Sequence, residues 1–159
     1  MELWDAYNSG FIKQDGVVLT RGEPIPPGLY HLVCDVLVQH VDRDYLLMQR
    51  DPRKSYGGMW EATAGGSALQ GEDPPACARR ELLEETGIEA ECLTELGQVL
   101  DKSTIYVEYL CLTDCSKNSI ILQEGETVAY RWVSRDELLR MSRGELLTER
   151  MQSFIAELR

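Results

Sequence analysis

The chain lacks the cysteine spacing of disulfide-rich and zinc-binding proteins. Its 159 residues include five cysteines, an odd number, and no Cys-x-x-Cys motif occurs among them. A disulfide framework uses paired cysteines, and a thiolate zinc site uses closely spaced ones. Neither is therefore expected, and we predict a protein whose thiols are reduced.

Positive charge is scarce. The chain has 16 Lys and Arg against 27 Asp and Glu, which gives a formal net charge of −11 at pH 7. Binding nucleic acid over an extended surface requires a basic protein surface, so we expect no nucleic-acid partner. An anionic small molecule is still compatible with this charge, provided that a bound cation or a few local basic groups offset it.

Long apolar runs are also missing. No segment has the ~18 consecutive apolar residues that a membrane helix needs. The N-terminal sequence, MELWDAYNSG, has neither the basic region nor the apolar region of a signal peptide. We therefore expect no membrane partner and a cytoplasmic location.

Strand patterns dominate what is present. Runs rich in Val, Leu, Tyr and Thr, bounded by turn residues, predict strands in YHLVCDVLVQ, DRDYLLMQR, MWEATAG, ECLTELGQVL, STIYVEYLCLTD and TVAYRWV. SRDE at 134–137 matches a capping box and predicts the start of a helix. We expect a single α+β domain with an N-terminal hairpin and loop (1–28), a core (29–142) and a C-terminal helix (143–159). By fold-level analogy alone, the hairpin offers a surface for a homodimer.

One helix is marked by signals at both ends. Asp73 is a candidate N-cap residue, and Pro74 and Pro75 suit the first turn, where a missing N–H costs little. Gly87 is a candidate for the left-handed residue that follows a helix. These signals predict a helix over residues 74–86.

Three carboxylates share one face of this helix. With about 100° between successive residues, Glu81, Glu84 and Glu85 fall within an arc about 100° wide. Like charges at this spacing destabilise a bare helix, whereas a divalent cation removes their repulsion, since Mg²⁺ prefers carboxylate oxygens. Arg80 is spaced to form an ion pair with Glu84. The alternative interpretation is a solvated acidic face, the usual role of a charge run.

The whole stretch resembles a Nudix box. Residues 65–88, GGSALQGEDPPACARRELLEETGI, fit the pattern G-x5-E-x7-R-E-L-x-E-E-x-G-I at every specified position. The matching residues are Gly66, Glu72, Arg80, Glu81, Leu82, Glu84, Glu85, Gly87 and Ile88. The predicted strand order over most of residues 30–140 also fits a Nudix domain, which is an α/β/α sandwich with a mixed sheet.

The resemblance implies a chemistry. Nudix enzymes bind Mg²⁺ or Mn²⁺ and attack a diphosphate with water, typically in a nucleoside diphosphate linked to another group. By position, Glu84 and Glu85 would be metal ligands, and Gly66 would offer its carbonyl to the metal. Glu81 would be a further ligand or the base that activates water, and Arg80 would orient it.

Three further roles follow from the same resemblance. Glu72 would support the geometry of the loop and the helix, and Gly87 would end the helix. Many Nudix enzymes place an additional acid near the last strand of the sheet. Here QEGETVAYRWV offers Glu126 as a further candidate metal ligand, with Glu124 as the competing choice, and an exposed loop glutamate is the alternative role for either one.

A basic segment, QRDPRKSYGGMW, lies between two predicted strands. It and the strand YHLVCDVLV are similar to the isopentenyl-diphosphate isomerase branch of the superfamily, in which residues at the positions of Arg50 and Lys54 contact the diphosphate. The alternative is a solvated turn. The branch also has a catalytic cysteine and a metal-binding histidine, but Gly65 and Ser67 stand at their positions here, and His31 alone matches a metal histidine.

The sequence therefore predicts a Nudix hydrolase that depends on Mg²⁺ or Mn²⁺ and cleaves a diphosphate linkage in a nucleotide-like or similar phosphorylated small molecule. Two alternatives remain: an isopentenyl-diphosphate isomerase, and a non-catalytic sensor of nucleotide-type ligands. The intact box argues against the sensor, since an inert relative would be expected to lose box acids.

Overall fold

The computed structural model describes residues 1–147 and 150–158. The strands are β1 Leu3–Tyr7, β2 Lys13–Thr20, β3 His31–His40, β4 Tyr45–Arg50, β5 Trp60–Glu61, β6 Thr63–Ser67, β7 Leu93–Asp101, β8 Thr104–Thr113 and β9 Thr127–Val133. The helices are α1 Pro74–Thr86, α2 Arg135–Arg140 and α3 Arg150–Glu157.

A mixed sheet occupies the centre of this structure. Strands β3 and β8 are parallel along their whole length, from the pair His31–Thr104 to the pair His40–Thr113. The order is β5-β4-β3-β8-β7, with β6 also paired to β3 and β9 to β4, and these other pairs are antiparallel. β3 thus borders three strands, which places its side chains at the centre of the domain.

Helices cover both faces of the sheet because successive side chains of a strand point to opposite faces. Val36 of β3 belongs to a buried cluster that includes Leu82 of α1. The next residue, Leu37, belongs to a second cluster that includes Leu138 of α2 and Ile155 of α3. This arrangement is the predicted α/β/α sandwich.

The predicted helix 74–86 is confirmed at both ends. The Asp73 carboxylate accepts a hydrogen bond from the backbone N–H of Ala76 at 2.8 Å. Gly87 has φ = 76°, a left-handed conformation that glycine adopts without strain, and its N–H donates to the carbonyl of Leu83. The Asp73 and Gly87 caps therefore define where the helix that carries the box acids begins and ends.

Two sequence expectations were wrong in detail. MWEATAG is not one strand: it breaks at Ala62, because β5 pairs with β4 whereas β6 pairs with β3.

The helix predicted over 143–159 begins at Arg150 in the described residues. Before this helix, residues 145–147 pair with the backbone of Trp60. The N–H of Trp60 donates to the carbonyl of Glu145, and the carbonyl of Trp60 accepts from the N–H of Leu147, so these groups are not used in helical hydrogen bonds. Residues 148, 149 and 159 of that prediction lie outside the described residues.

The first two strands form the predicted hairpin, which packs beside the sheet. β1 and β2 are antiparallel and form a small cluster of their own around Trp4, Ala6 and Leu19. Tyr7 and Tyr30 exchange two backbone hydrogen bonds of 2.9 Å, which join the hairpin to the start of β3. Across the part of the chain that the structure describes, no helix combines the length and the apolar character needed to span a membrane.

Candidate active site

Arg80 ties the box helix to the loop before it. Its Nε and Nη2 donate to the two carboxylate oxygens of Glu72 at 2.8 and 2.9 Å, and Nη2 also donates to the carbonyl of Ser67 at 3.1 Å. Glu72 in turn accepts from the N–H of Leu69 at 3.0 Å. This fork-shaped contact fixes the loop against the helix.

The same guanidinium holds two of the acids on the helix face. Nη1 of Arg80 donates to Glu81 at 2.6 Å and to Glu84 at 3.3 Å. The Glu81 carboxylate also lies against Gly66: a Cβ built on that glycine would be 2.5 Å from Oε1 of Glu81. A side chain at position 66 would therefore displace Glu81, which explains the need for glycine there.

Glu85 lies deeper than its two neighbours and is crowded by acids. Its carboxylate accepts a hydrogen bond from the N–H of Gly65 at 3.2 Å. Burial, reinforced by the nearby Glu61 and Glu81, raises the pKa of Glu85 to about 8. Burial also raises the pKa of Glu61, although its ion pair with Arg50 at 2.7 Å opposes that effect. The site thus concentrates negative charge that the protein only partly neutralises.

The predicted basic groups face these acids. Arg50 is held by Glu61 and by the carbonyl of Ser55, to which its Nε donates at 2.9 Å. Lys54 forms an ion pair with Glu126. Of the two candidate loop acids, Glu126 therefore lies in the site, and Glu124 is exposed and outside the pocket lining.

A single pocket of about 540 Å³ brings the predicted groups together. Its lining includes Gly66, Arg80, Glu81, Glu84 and Glu85 from the box and Arg50, Lys54 and Glu126 from the loops beside it. Glu72 and Gly87 are not part of this lining. Acidic and basic side chains that are far apart in sequence therefore line one cavity.

Sequence reasoning missed Asp35, Glu61 and Arg150, which line the pocket, and Glu108, which contacts Arg150. Asp35, on β3, pairs in register with Glu108 on β8, and both are buried. Arg150, at the start of α3, donates to each of them at 3.0 Å and places its guanidinium 3.8 Å from the ring centroid of Tyr106. The only local signal was an acid within each of two apolar strands, and nothing local marked Arg150 or Glu61.

The donor chemistry fits a divalent cation. In residues 1–147 and 150–158, no three His, Cys, Asp or Glu side chains are grouped as a preformed metal site. Glu81 and Glu84 are instead both bound to Arg80. Glu81, Glu84 and Glu85 nevertheless all line the pocket, and burial, with the nearby Glu61 and Glu81, raises the pKa of Glu85, a cost of ionisation that a bound cation would offset.

The pKa of Glu85 predicts how stability varies with pH in the metal-free protein. Burial, with the nearby acids, raises the pKa of Glu85 from its ordinary value of 4.5 in the unfolded chain to about 8 in the folded protein. Between these values the unfolded chain releases a proton that the folded protein keeps, so the contribution of Glu85 to the free energy of unfolding falls as pH rises. Urea unfolding in EDTA at several pH values should show a shallower fall for Glu85→Gln than for the wild type. An identical slope in the two proteins would contradict the assignment.

His31 and Gly65, which bear on the isomerase alternative, are both closely packed against other parts of the domain. His31 stacks on Trp4 with ring centroids 4.4 Å apart, and its Nδ1 lies 3.2 Å from the carbonyl of Ser103. A Cβ at Gly65 would lie 2.3 Å from the carbonyl oxygen of Cys34. A cysteine therefore does not fit at position 65 unless β3 moves. All five cysteines lie in the described residues and are free.

Comparisons with known proteins identify the family of the chain. A family model for the NUDIX domain matches residues 29–157. The uncharacterized Nudix hydrolase lmo0368 of Listeria monocytogenes is 32% identical over 155 residues, which cover 92% of this chain and 89% of that protein. DR0079 from Deinococcus radiodurans has a TM-score of 0.78 at 19% identity, with 98% of both chains covered. The NUDIX domain of Shewanella oneidensis NrtR, crystallised with ADP ribose, has a TM-score of 0.65 at 19% identity and covers 80% of this chain and 87% of that chain.

The two structural relatives share the fold, and the family model and the Listeria protein share the sequence pattern as well. The intact box over residues 66–88, the caps of α1 and the mixed sheet all lie within the matched region. The chain belongs to the Nudix hydrolase family.

Proposed function

We propose that the protein hydrolyses a diphosphate linkage in a nucleoside diphosphate derivative or a similar phosphorylated small molecule, with the help of Mg²⁺ or Mn²⁺. The observation that supports this most is the pocket itself, in which the acids of α1 face Arg50 and Lys54. A diphosphate needs cationic groups on its oxygens and a base near the attacking water, and this lining offers both.

Each side chain has a role that its contacts support. Glu81, Glu84 and Glu85 would hold the cation, which would offset charge on the phosphoryl oxygens and make water more acidic. Glu81 accepts a hydrogen bond from Arg80 at 2.6 Å, which supports a role either as a further ligand or as the base that would accept a proton from water. Arg50 and Lys54 would bind the diphosphate by charge-assisted hydrogen bonds. Both now pair with acids, Glu61 and Glu126, so substrate binding would exchange one anionic partner for another.

A substrate panel tests the proposal directly. ADP ribose belongs in it because a structural relative was crystallised with that ligand. Other nucleoside diphosphate derivatives, nucleoside triphosphates and isopentenyl diphosphate complete it. Products are separated by chromatography and identified by ³¹P NMR after incubation with Mg²⁺ or Mn²⁺. Release of nucleoside monophosphate or phosphate supports the hydrolase, whereas tight binding without product from any compound would instead support the sensor.

Arg50→Ala and Lys54→Ala should each raise KM more than they lower kcat. If these groups bind the diphosphate equally in the ground and transition states, their loss removes uniform binding. Loss of one charge-assisted hydrogen bond predicts a rise in KM of roughly 10-fold or more. Arg53→Ala is the matched control, since Arg53 lies in the same loop but pairs with Asp51 outside the pocket. Unchanged kcat and KM in both variants would show that Arg50 and Lys54 belong to a solvated turn and do not bind the substrate.

Isopentenyl diphosphate should not be isomerised. That reaction moves a proton from one carbon to another, and the related isomerases use a thiol at the position of Gly65. Here the glycine has no proton to deliver and no room for a larger side chain. Incubation with Mg²⁺ or Mn²⁺, followed by product analysis, should show no dimethylallyl diphosphate. Its formation at an enzymatic rate would establish the isomerase and overturn the hydrolase proposal.

A further inference from the structure

The N-terminal hairpin lines the pocket although it lies outside the region that the family model matches. The match covers residues 29–157, whereas Glu2 directly precedes β1 and Arg21 directly follows β2. Both residues contribute to the wall of the 540 Å³ cavity. The hairpin therefore adds groups to the site that the family pattern does not include.

The position of the hairpin relative to the pocket is fixed by several contacts. The N–H of Gln70 donates to the carbonyl of Leu3 at 2.9 Å, and the N–H of Gly71 donates to the carboxylate of Asp5 at 2.8 Å. These two bonds join β1 to the loop that leads into the box helix. With the stack of Trp4 on His31, they hold the hairpin against the domain rather than leaving it as a loose appendage.

Within the hairpin, Glu2 positions Arg21. One Glu2 oxygen accepts from the indole N–H of Trp4 at 2.7 Å, and the other accepts from Nη1 of Arg21 at 3.0 Å. The backbone N–H of Arg21 also donates to the carbonyl of Glu2 at 3.0 Å. Because Trp4 is buried, this chain of contacts connects the Arg21 guanidinium to a rigid part of the hairpin.

Arg21 is nevertheless available to a ligand. Its side chain is 67% exposed, and exposed ion pairs contribute only ~0–1 kcal/mol, so its bond to Glu2 is easily exchanged. It also faces the same space as the basic loop: burial, Arg50 and, more weakly, Arg21 lower the pKa of Lys54. A guanidinium in this position can donate two parallel hydrogen bonds to a phosphate.

We infer that the hairpin forms one wall of the substrate site and that Arg21 binds an anionic group of the substrate beyond the diphosphate that is cleaved. The preferred substrates then carry a further phosphate. This inference rests on the proposed function, since it takes Arg50 and Lys54 as the groups that bind the cleaved diphosphate. It assigns to Arg21 a separate role, which is selection between substrates with and without that extra group.

The test compares two slowly hydrolysed ligands, imidodiphosphate and diimidotriphosphate, by isothermal titration calorimetry with Mg²⁺ present. The wild type should bind diimidotriphosphate more tightly. Arg21→Ala should weaken that binding by roughly 10-fold, the value of one charge-assisted hydrogen bond, and change imidodiphosphate binding less than about 2-fold. Arg21→Lys should restore part of the difference, because the charge remains while the fork is lost.

Arg43→Ala, at an exposed arginine outside this pocket, is the matched control and should leave both affinities unchanged. Urea unfolding of each variant confirms that the hairpin mutation has not unfolded the protein. Equal weakening of both ligands by Arg21→Ala, or no weakening of either, would overturn the inference. Either result would leave the proposed hydrolysis intact, whereas failure of the wild type to turn over any compound in the panel would reject the hydrolase itself.

Discussion

Glu85→Gln should lower kcat/KM for the best substrate at least about 100-fold while the protein stays folded. Glutamine keeps the size of the side chain and can still accept the hydrogen bond from Gly65, so packing is preserved. It removes a negative charge from the group of acids proposed to hold the cation, and even residues that only support metal ligands typically contribute 10–100-fold. Glu84→Gln should act in the same direction. Mg²⁺ or Mn²⁺ affinity, measured by calorimetry, should fall with activity in both variants.

In the absence of metal, the free energy of unfolding of Glu85→Gln should equal or exceed that of the wild type. Burial and the neighbouring acids raise the pKa of Glu85, so near neutral pH the metal-free protein must take up a proton at this site as it folds, which costs free energy that glutamine does not incur. Glu89→Gln is the control, since Glu89 is an exposed acid just beyond the helix and outside the pocket lining. Wild-type metal affinity and turnover in Glu84→Gln and Glu85→Gln would show that the carboxylate face does not bind the cation.

Arg150→Met should lower the free energy of unfolding by about 3 kcal/mol or more at pH 7. Arg150 lies between the carboxylates of Asp35 and Glu108, and removing one partner of a buried ion pair leaves the remaining charge without compensation. Within residues 1–147 and 150–158, Oε2 of Glu108 is already buried without a hydrogen-bond partner. Urea unfolding gives the free energy directly.

The loss should be smaller at acidic pH, because protonation removes the uncompensated charge. Burial, with Glu108 close by, raises the pKa of Asp35, which eases that protonation. Arg79→Met, the same change at an exposed position of α1, should alter stability by no more than about 0.5 kcal/mol. If Arg150→Met is as mild as Arg79→Met at pH 7, the contacts of Arg150 with Asp35 and Glu108 do not hold α3 to the sheet.

The box helix could be predicted from sequence because its signals are local. Asp73, the two prolines and Gly87 determine where the helix begins and ends, and the 100° step places three acids on one face. Arg80 was also within reach of this reasoning, since its contacts with Glu81 and Glu84 lie within one turn. The resemblance to the family then gave these positions a chemical role that spacing alone left open.

The remainder of the site depends on contacts between distant parts of the chain. Asp35 accepts a hydrogen bond from Arg150, which lies 115 positions further along the chain, and no local sequence pattern predicts that contact. Arg21 enters the pocket because the hairpin folds back onto the box loop. The break at Ala62 has the same origin, since it reflects a change of partner strand rather than a change in residue type.

The most direct test of the account is the dependence of diphosphate hydrolysis on the divalent cation. The purified protein is treated with EDTA, and the rate of product release from the best substrate is measured as Mg²⁺ is added back. We predict no turnover in EDTA and a saturable rise in rate with Mg²⁺, shifted to much higher Mg²⁺ concentrations or abolished in Glu85→Gln. Turnover at the full rate in EDTA would contradict the claim that the acids of α1 act through a bound cation.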